Sequence, residues 1–229
     1  MATNKLQLGY WAMGGSGHPI RVLLHYLGQD FENVTFPMPQ VWLKTKQELI
    51  AKGTHFINMP WLQDGDLYLS ESDAIALYLA HKFDRADLYG KNTLDKARVR
   101  QLEGVLLDYW KNFFKHYANP DKKAGTTEAF KEGAKAYEFL DKINNFLGDN
   151  EFLIGYLTYA DFKLAYYTRY FRNIALSFDL ADPYANYPNI LAHAKRFYGL
   201  DEIKEFEGSE NDLPYLPSIF PWYKAFDLP

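Results

Sequence analysis

The chain has 229 residues, 48% of them hydrophobic, and a formal charge of −4. That is enough apolar material for one large domain or two small ones, with no general attraction for nucleic acid or anionic membrane. Cysteine is absent, which excludes a disulfide framework, a thiolate metal site and a cysteine nucleophile together, so any thiol chemistry must use a thiol brought by a substrate.

Aromatic residues reach 17%, with 18 tyrosines, a composition suited to apolar pockets with polar tips. The opening MATNKLQLGYW has no apolar stretch of signal-peptide length, and the uncharged run from Ala74 to Ala80 is far too short to span a bilayer. The expectation is a soluble, cytoplasmic protein with no membrane partner.

Leu6, Leu8 and Tyr10 alternate with Gln7 and Gly9, which predicts a half-buried strand over 5–11. Gly14-Gly15-Ser16-Gly17 follows as a loop. It is not a phosphate loop, because no Lys-Ser or Lys-Thr follows and the glycine spacing fits neither nucleotide fingerprint. From His18, the residues Ile20, Leu23, Leu24 and Leu27 recur at helical spacing, with Pro19 in the first turn and Gly28 past the end. Residues 31–36 read as a second strand stopped by Pro37 and Pro39, and a helix over 41–52 ends at Gly53.

The stretch 56–80 predicts strand, turn, strand and helix. Met59-Pro60 opens it, and the bond before a proline is the one that adopts cis cheaply. Asp64-Gly65 occupies the turn of a hairpin. Ser70-Glu71-Ser72-Asp73 offers hydroxyls and carboxylates to cap the following helix, whose apolar residues are Ala74, Ile75, Leu77, Tyr78 and Leu79. Two readings stand here. One is a capped helix and nothing more. In the other, Asn58, the Met59 backbone, Glu71 and Ser72 grip a small zwitterion, Glu71 pairing its ammonium and Ser72 with the helix N-terminus taking its carboxylate.

The predicted order, βαβαββα over residues 1–83, has the form of a thioredoxin-like α/β domain. Residues 84–92 read as a linker, and from 93 to 229 the strand signals disappear. Leu102, Val105, Leu106, Tyr109 and Phe113 mark one long helix, and Phe139, Leu140, Ile143 and Leu147 mark another. The segment 119–127 between them reads as a turn. Thr158 and Asp161 form a capping pair, with Leu157 and Phe162 placed as a hydrophobic staple, and the expected role is structural. Further helices fit 159–175, 189–198 and 201–206, and 213–229 alternates prolines with aromatics as an irregular tail.

A thioredoxin-like domain without cysteine, followed by an all-helical domain, with a tyrosine ending the first strand, resembles the cytosolic glutathione transferases, most nearly the mu class. The resemblance runs over nearly the whole chain. It is carried by Gly9-Tyr10-Trp11, His18 and Arg21, Trp42 and Lys46, Phe56-Ile57-Asn58-Met59-Pro60, Glu71-Ser72 and the 158–161 cap.

The resemblance implies a transferase that conjugates glutathione to hydrophobic electrophiles, with Tyr10 donating its hydroxyl to the thiolate. Each pKa unit by which the thiol is lowered corresponds to about 1.4 kcal/mol. It implies further that Trp11, Trp42, Lys46, Asn58, Met59, Pro60, Glu71 and Ser72 hold glutathione, and that Asp108 reaches it across a dimer interface. Phe56 would plug into the partner subunit, and Ala12, Met13, Phe114 and Tyr117 would line the second substrate's pocket. Glutathione is then a co-substrate, and no cofactor or metal is implied.

Bland readings exist for each residue: core packing for Tyr10, a solvated lysine for Lys46, an exposed helix carboxylate for Asp108. A non-catalytic ligand-binding or scaffold protein, or a glutathione-dependent isomerase, would use the same fold. Three features depart from the mu pattern: a shorter stretch between Phe36 and Trp42 with Pro39 in place of an arginine, Glu71 in place of a glutamine, and the glycine-rich loop 12–17.

Overall fold

The computed structural model of the protein describes residues 5–37 and 39–214. Its described residues fall into two compact units, one running to Ala86 and taking up the residues from Asp201 onward, the other spanning Asp87–Leu200.

In the first unit the chain runs β1 (Leu6–Trp11), α1 (His18–Tyr26), β2 (Phe31–Phe36), α2 (Pro39–Ala51), β3 (Trp61–Asp64), β4 (Leu67–Ser70) and α3 (Ser72–Lys82). The strands form one sheet in the order β2-β1-β3-β4. β1 and β2 are parallel, with Tyr10 opposite Thr35 and Trp11 opposite Phe36. A parallel pair cannot be joined by a hairpin, and α1 is the crossover. β3 runs antiparallel to β1 and to β4, so Gly9 faces Trp61 and Trp61 faces Ser70. The Met59–Pro60 bond is cis.

Helix α2 begins at Pro39 rather than after it. Proline suits the first turn, because its missing N–H would have no partner there and its φ is already helical. Trp42 and Leu49 are its buried residues, and they join Phe36, Ile57 and Trp61 in one cluster.

In α3 the buried face is Ile75, Ala76, Leu79 and Ala80, while Ala74 and Leu77 are exposed. The run is apolar on every side, so periodicity does not define which stripe faces the core. Nor is the helix capped by a side chain: Glu71 at the N-cap makes no such bond. Ser70 ends β4, and its hydroxyl donates to the Phe56 carbonyl at 2.5 Å.

The second unit contains α4 (Thr93–Tyr117), α5 (Lys122–Ala129), α6 (Lys135–Leu147), α7 (Tyr159–Ser177) and α8 (Pro188–Tyr198). Residues 84–92 are not a bare spacer. Residues 86–89 form a 3-10 turn with Leu88 and Tyr89 buried, and the Tyr89 ring stacks on Tyr159 at 5.8 Å. α4 buries Leu102, Leu106, Tyr109 and Phe113, as its spacing predicts, but Val105 stays exposed.

The predicted turn at 119–127 gives way from Lys122 to α5, which runs on to Ala129. Gly125, Thr126 and Thr127 are poor helix formers. The helix forms nonetheless, because Asp121 accepts the N–H of Ala124 at 2.9 Å and the fully buried Thr126 and Ala129 anchor one face.

The core of this unit is aromatic. Tyr109 stacks on Phe139 at 4.1 Å, Phe113 on Phe171 at 4.0 Å, and the Tyr109 and Tyr184 hydroxyls meet at 2.8 Å. Each ring pair adds roughly 0.5–1.5 kcal/mol beyond the area it buries.

Thr158 and Asp161 form a capping box at the start of α7. Oδ2 of Asp161 accepts from the Thr158 N–H and hydroxyl, both at 2.8 Å. Its Oδ1 accepts the Leu153 N–H at 2.8 Å and lies 2.9 Å from Nε2 of His193.

The short helix α9 (Asp201–Lys204) belongs with the first unit. Ile203 is fully buried, and Phe206 packs its ring against His18 and His25 of α1. The predicted helix over 201–206 is thus shorter by two residues, and the predicted tail over 213–229 falls almost wholly outside the described residues. Among the described residues, no helix is long and apolar enough to cross a membrane.

Candidate functional site

Tyr10 closes β1 with 8% of its surface exposed. The chain then turns through the glycine-rich loop, and the backbone N–H of Ser16 donates to the Tyr10 hydroxyl at 3.0 Å. The Ser16 side chain also lies within hydrogen-bonding reach of that hydroxyl. Burial pushes the Tyr10 pKa up, against the opposing pull of the Ser16 contact and the Arg21 guanidinium. The phenol therefore keeps its proton at neutral pH and stands ready to donate it in a hydrogen bond.

Arg21 holds this loop. It is fully buried in α1, and its Nη1 donates to the Met13 carbonyl at 2.8 Å and its Nη2 to the Trp11 carbonyl at 3.2 Å. Its Nε donates to Oδ1 of Asn33 at 3.0 Å. A buried charge survives only when its donors are matched, and here backbone carbonyls match them. The sequence signal for this role was an arginine set among Ile20, Val22, Leu23 and Leu24. The Gly14 N–H donates to the Pro214 carbonyl at 2.7 Å, so the segment after α9 braces the loop from a second side. His18 is also fully buried, with Nδ1 4.0 Å from Asp212.

The residues expected to hold glutathione, apart from Asp108, all lie on the first unit. Asn58 and Glu71 are exposed; Trp11, Lys46, Met59 and Ser72 are half-buried; Pro60 is buried. Trp42 is buried, its ring meeting Phe36 edge-on at 5.3 Å. The Lys46 ammonium lies over that ring at 6.0 Å.

Glu71 carries φ 72° and ψ 114°, a left-handed conformation that costs a residue with a side chain. It delivers the exposed carboxylate beside the start of α3, whose first N–H groups no N-cap side chain takes. An uncapped helix N-terminus favours an anion.

In the second unit Asp108 is exposed on α4, where its carbonyl accepts from Asn112 at 2.7 Å. Tyr117 is buried, its ring stacked on Phe113 at 5.6 Å, and Phe114 is half-buried. Ala12 and Met13 are half-buried on the first unit, and among the described residues Phe56 is the most exposed large apolar side chain, at 88%.

A mixed four-stranded sheet with a cis-proline ahead of β3, followed by an all-helical unit, defines a thioredoxin-like domain joined to a helical domain. The family models for the glutathione S-transferase N-terminal and C-terminal domains match residues 6–81 and 105–210. Glutathione S-transferase Mu 2 of Macaca fuscata fuscata is 32% identical, the match covering 91% of this chain and 93% of the relative. Glutathione S-transferase Mu 1 of Rattus norvegicus is 31% identical over 94% and 97%. Among solved structures, rat hPGDS complexed with a quinoline superimposes with a TM-score of 0.75 at 25% identity, covering 91% of this chain and all of that one. A nematode glutathione transferase from C. elegans gives 0.71 at 25% identity, covering 90% and 97%. The chain belongs to the glutathione S-transferase family, with mu-class enzymes among its relatives.

Proposed function

We infer that the protein binds glutathione on its first unit and joins the glutathione sulfur to small hydrophobic electrophiles, with Tyr10 stabilising the thiolate. The observation that carries this reading is the Tyr10 hydroxyl. It accepts the Ser16 N–H at the end of the first strand and stays protonated through burial. A phenol so arranged is a donor waiting for an acceptor, and in a chain without cysteine the acceptor is the sulfur of a bound tripeptide.

In the reaction, the bound thiol loses its proton to solvent, and the thiolate attacks an electrophilic carbon. A carbon–sulfur bond forms, and the leaving group departs with its electron pair. Tyr10 keeps its proton throughout. Its hydrogen bond favours the charged sulfur over the neutral one and so raises the fraction of nucleophile at neutral pH.

The remaining assignments follow the chemistry of the ligand. Glu71 offers a carboxylate to the γ-glutamyl ammonium, and Ser72 with the start of α3 takes the adjacent carboxylate. The Met59 backbone pairs with the cysteinyl peptide, with Trp11 and Asn58 beside it, and Lys46 over Trp42 meets the glycyl carboxylate. Ala12 and Met13, which follow Tyr10 on the first unit, contribute apolar surface for the electrophile. The active unit is a homodimer, to which Phe56 is the anchor and Asp108 the contribution across the interface. Covering a phenylalanine as exposed as Phe56 is worth roughly 1.5–3 kcal/mol.

The test is conjugation of glutathione to a chloro-dinitrobenzene, with glutathione affinity measured separately by calorimetry. Tyr10→Phe should lower kcat/KM by roughly ten- to hundredfold, the order expected for one preorganised donor, and leave glutathione bound. Equal rates in the two proteins would remove the assignment, and so would a protein that binds glutathione and turns over no electrophile.

A further inference from the structure

Gly17 has φ −79° and ψ −27°, a right-handed helical conformation that every residue adopts without strain. It stands at the N-cap of α1, but a helical φ and ψ is not the conformation from which a side chain caps. Neither backbone strain nor capping therefore calls for glycine at this position. The neighbouring ring does: a Cβ built on Gly17 would lie 2.7 Å from both Cγ and Cδ1 of Tyr10. These are atoms at the root of the ring, which cannot swing aside without moving the hydroxyl. On the other side of the loop, a Cβ on Gly15 would lie 2.5 Å from the Tyr10 hydroxyl oxygen itself. Between the two glycines, the Ser16 N–H donates to that oxygen.

We propose that Gly15, Ser16 and Gly17 are positioning residues for Tyr10, a side-chain-free cradle that fixes the ring and turns the hydroxyl proton away from the loop. The inference rests on Tyr10 being the thiolate donor. The geometry supplies the mechanism. An oxygen that already accepts the Ser16 N–H cannot direct its own hydrogen along the same line, so the proton faces the remaining open direction. A ring confined on both flanks holds that direction without reorganising when charge develops on sulfur, which is the condition under which a donor is worth most. Arg21, through its bonds to the carbonyls of Trp11 and Met13, keeps the cradle closed on the ring.

The experiment compares Gly17→Ala in the native chain with the same change in the Tyr10→Phe background. The readouts are the thiol pKa of bound glutathione from thiolate absorbance, kcat and KM in conjugation, and the melting temperature. In the native chain, Gly17→Ala should raise the bound thiol pKa by about one unit, a tenfold loss of thiolate below that pKa. kcat should fall in proportion with KM for glutathione held, and Tm should fall by the same few degrees in both backgrounds, because the Phe ring meets the same Cβ. In the Tyr10→Phe background it should change neither pKa nor kcat by more than about twofold, because residues acting through one group are non-additive.

Equal losses of kcat in both backgrounds, or no loss in the native chain, would overturn the cradle while leaving Tyr10 as donor. A Tyr10→Phe protein with unaltered thiol pKa would instead overturn the reading beneath it. Should Gly17→Ala fail to fold, the amide resonance of Ser16 decides. It should shift upfield and exchange faster in Tyr10→Phe, and an unchanged resonance would overturn the proposal.

Discussion

The most demanding structural prediction concerns Asp161, fully buried at the head of α7. Its two oxygens serve four groups: the N–H of Leu153, the N–H and hydroxyl of Thr158, and the His193 ring, all at 2.8 to 2.9 Å. Asp161→Asn keeps the volume and shape but replaces one acceptor oxygen with an NH2. Whichever way the amide turns, that NH2 faces a backbone N–H, either of Leu153 or of Thr158, and one buried donor is left without a partner.

Such a loss costs about 1–3 kcal/mol, and the other bonds weaken from charged to neutral, so the total is about 3 kcal/mol. For a chain of this size each kcal/mol moves the midpoint by roughly 2–4 °C, so Tm should fall by roughly 6–12 °C at pH 7. Calorimetric melting is the assay. His193→Phe, which removes only one of the four contacts, should cost about 1 kcal/mol on the same basis. An Asp161→Asn protein melting within about 2 °C of the native one would refute the idea that this carboxylate is the keystone of the helical unit.

Two further perturbations follow from backbone and proton balance. Glu71→Gly relieves the positive φ, and its net effect on stability is a gain of up to about 1 kcal/mol once the extra freedom of unfolded glycine is subtracted. The same variant should bind glutathione at least tenfold more weakly in calorimetry; unchanged affinity would remove Glu71 from the site. Tyr10, Tyr109, Tyr184 and Tyr187 all have pKa values raised from 10.0, burial being the first cause in each. The folded chain thus retains protons that the unfolded chain releases, so this stability is intact below pH 10 and is lost as pH rises above it, by about 1.4 kcal/mol per group per unit. The urea midpoint should hold from pH 8 to 9.5 and drop steeply by pH 11, and a flat profile would contradict the burial of these phenols.

Much of the first unit can be read from residues because its elements have one wet face. The alternation of Leu6, Leu8 and Tyr10 marks β1, and Pro19 with Gly28 brackets α1. Reading fails where a local signal is ambiguous or overridden by packing. The run 74–80 is apolar on all sides, so α3 hides its core face. α5 is interrupted by the poor helix formers Gly125, Thr126 and Thr127 and stands on tertiary contacts that spacing does not reveal.

At the site, Tyr10 and Glu71 are legible as residue types at strand and helix ends. The Ser16 contact is not, because it is made by a backbone N–H that every residue except proline carries. The packing of Trp42 with Phe36, Leu49, Ile57 and Trp61 is likewise invisible to spacing alone, because it joins residues from separate elements.

The central claim is that the Tyr10 hydroxyl makes the bound sulfur anionic near neutral pH, and the thiol pKa of glutathione in its complex with the protein measures this directly. Titration of thiolate absorbance in the native complex should give a value at least one unit below that of free glutathione, returning toward the free value in Tyr10→Phe. A bound thiol that titrates alike in the two proteins, or no lower than in water, would contradict the account.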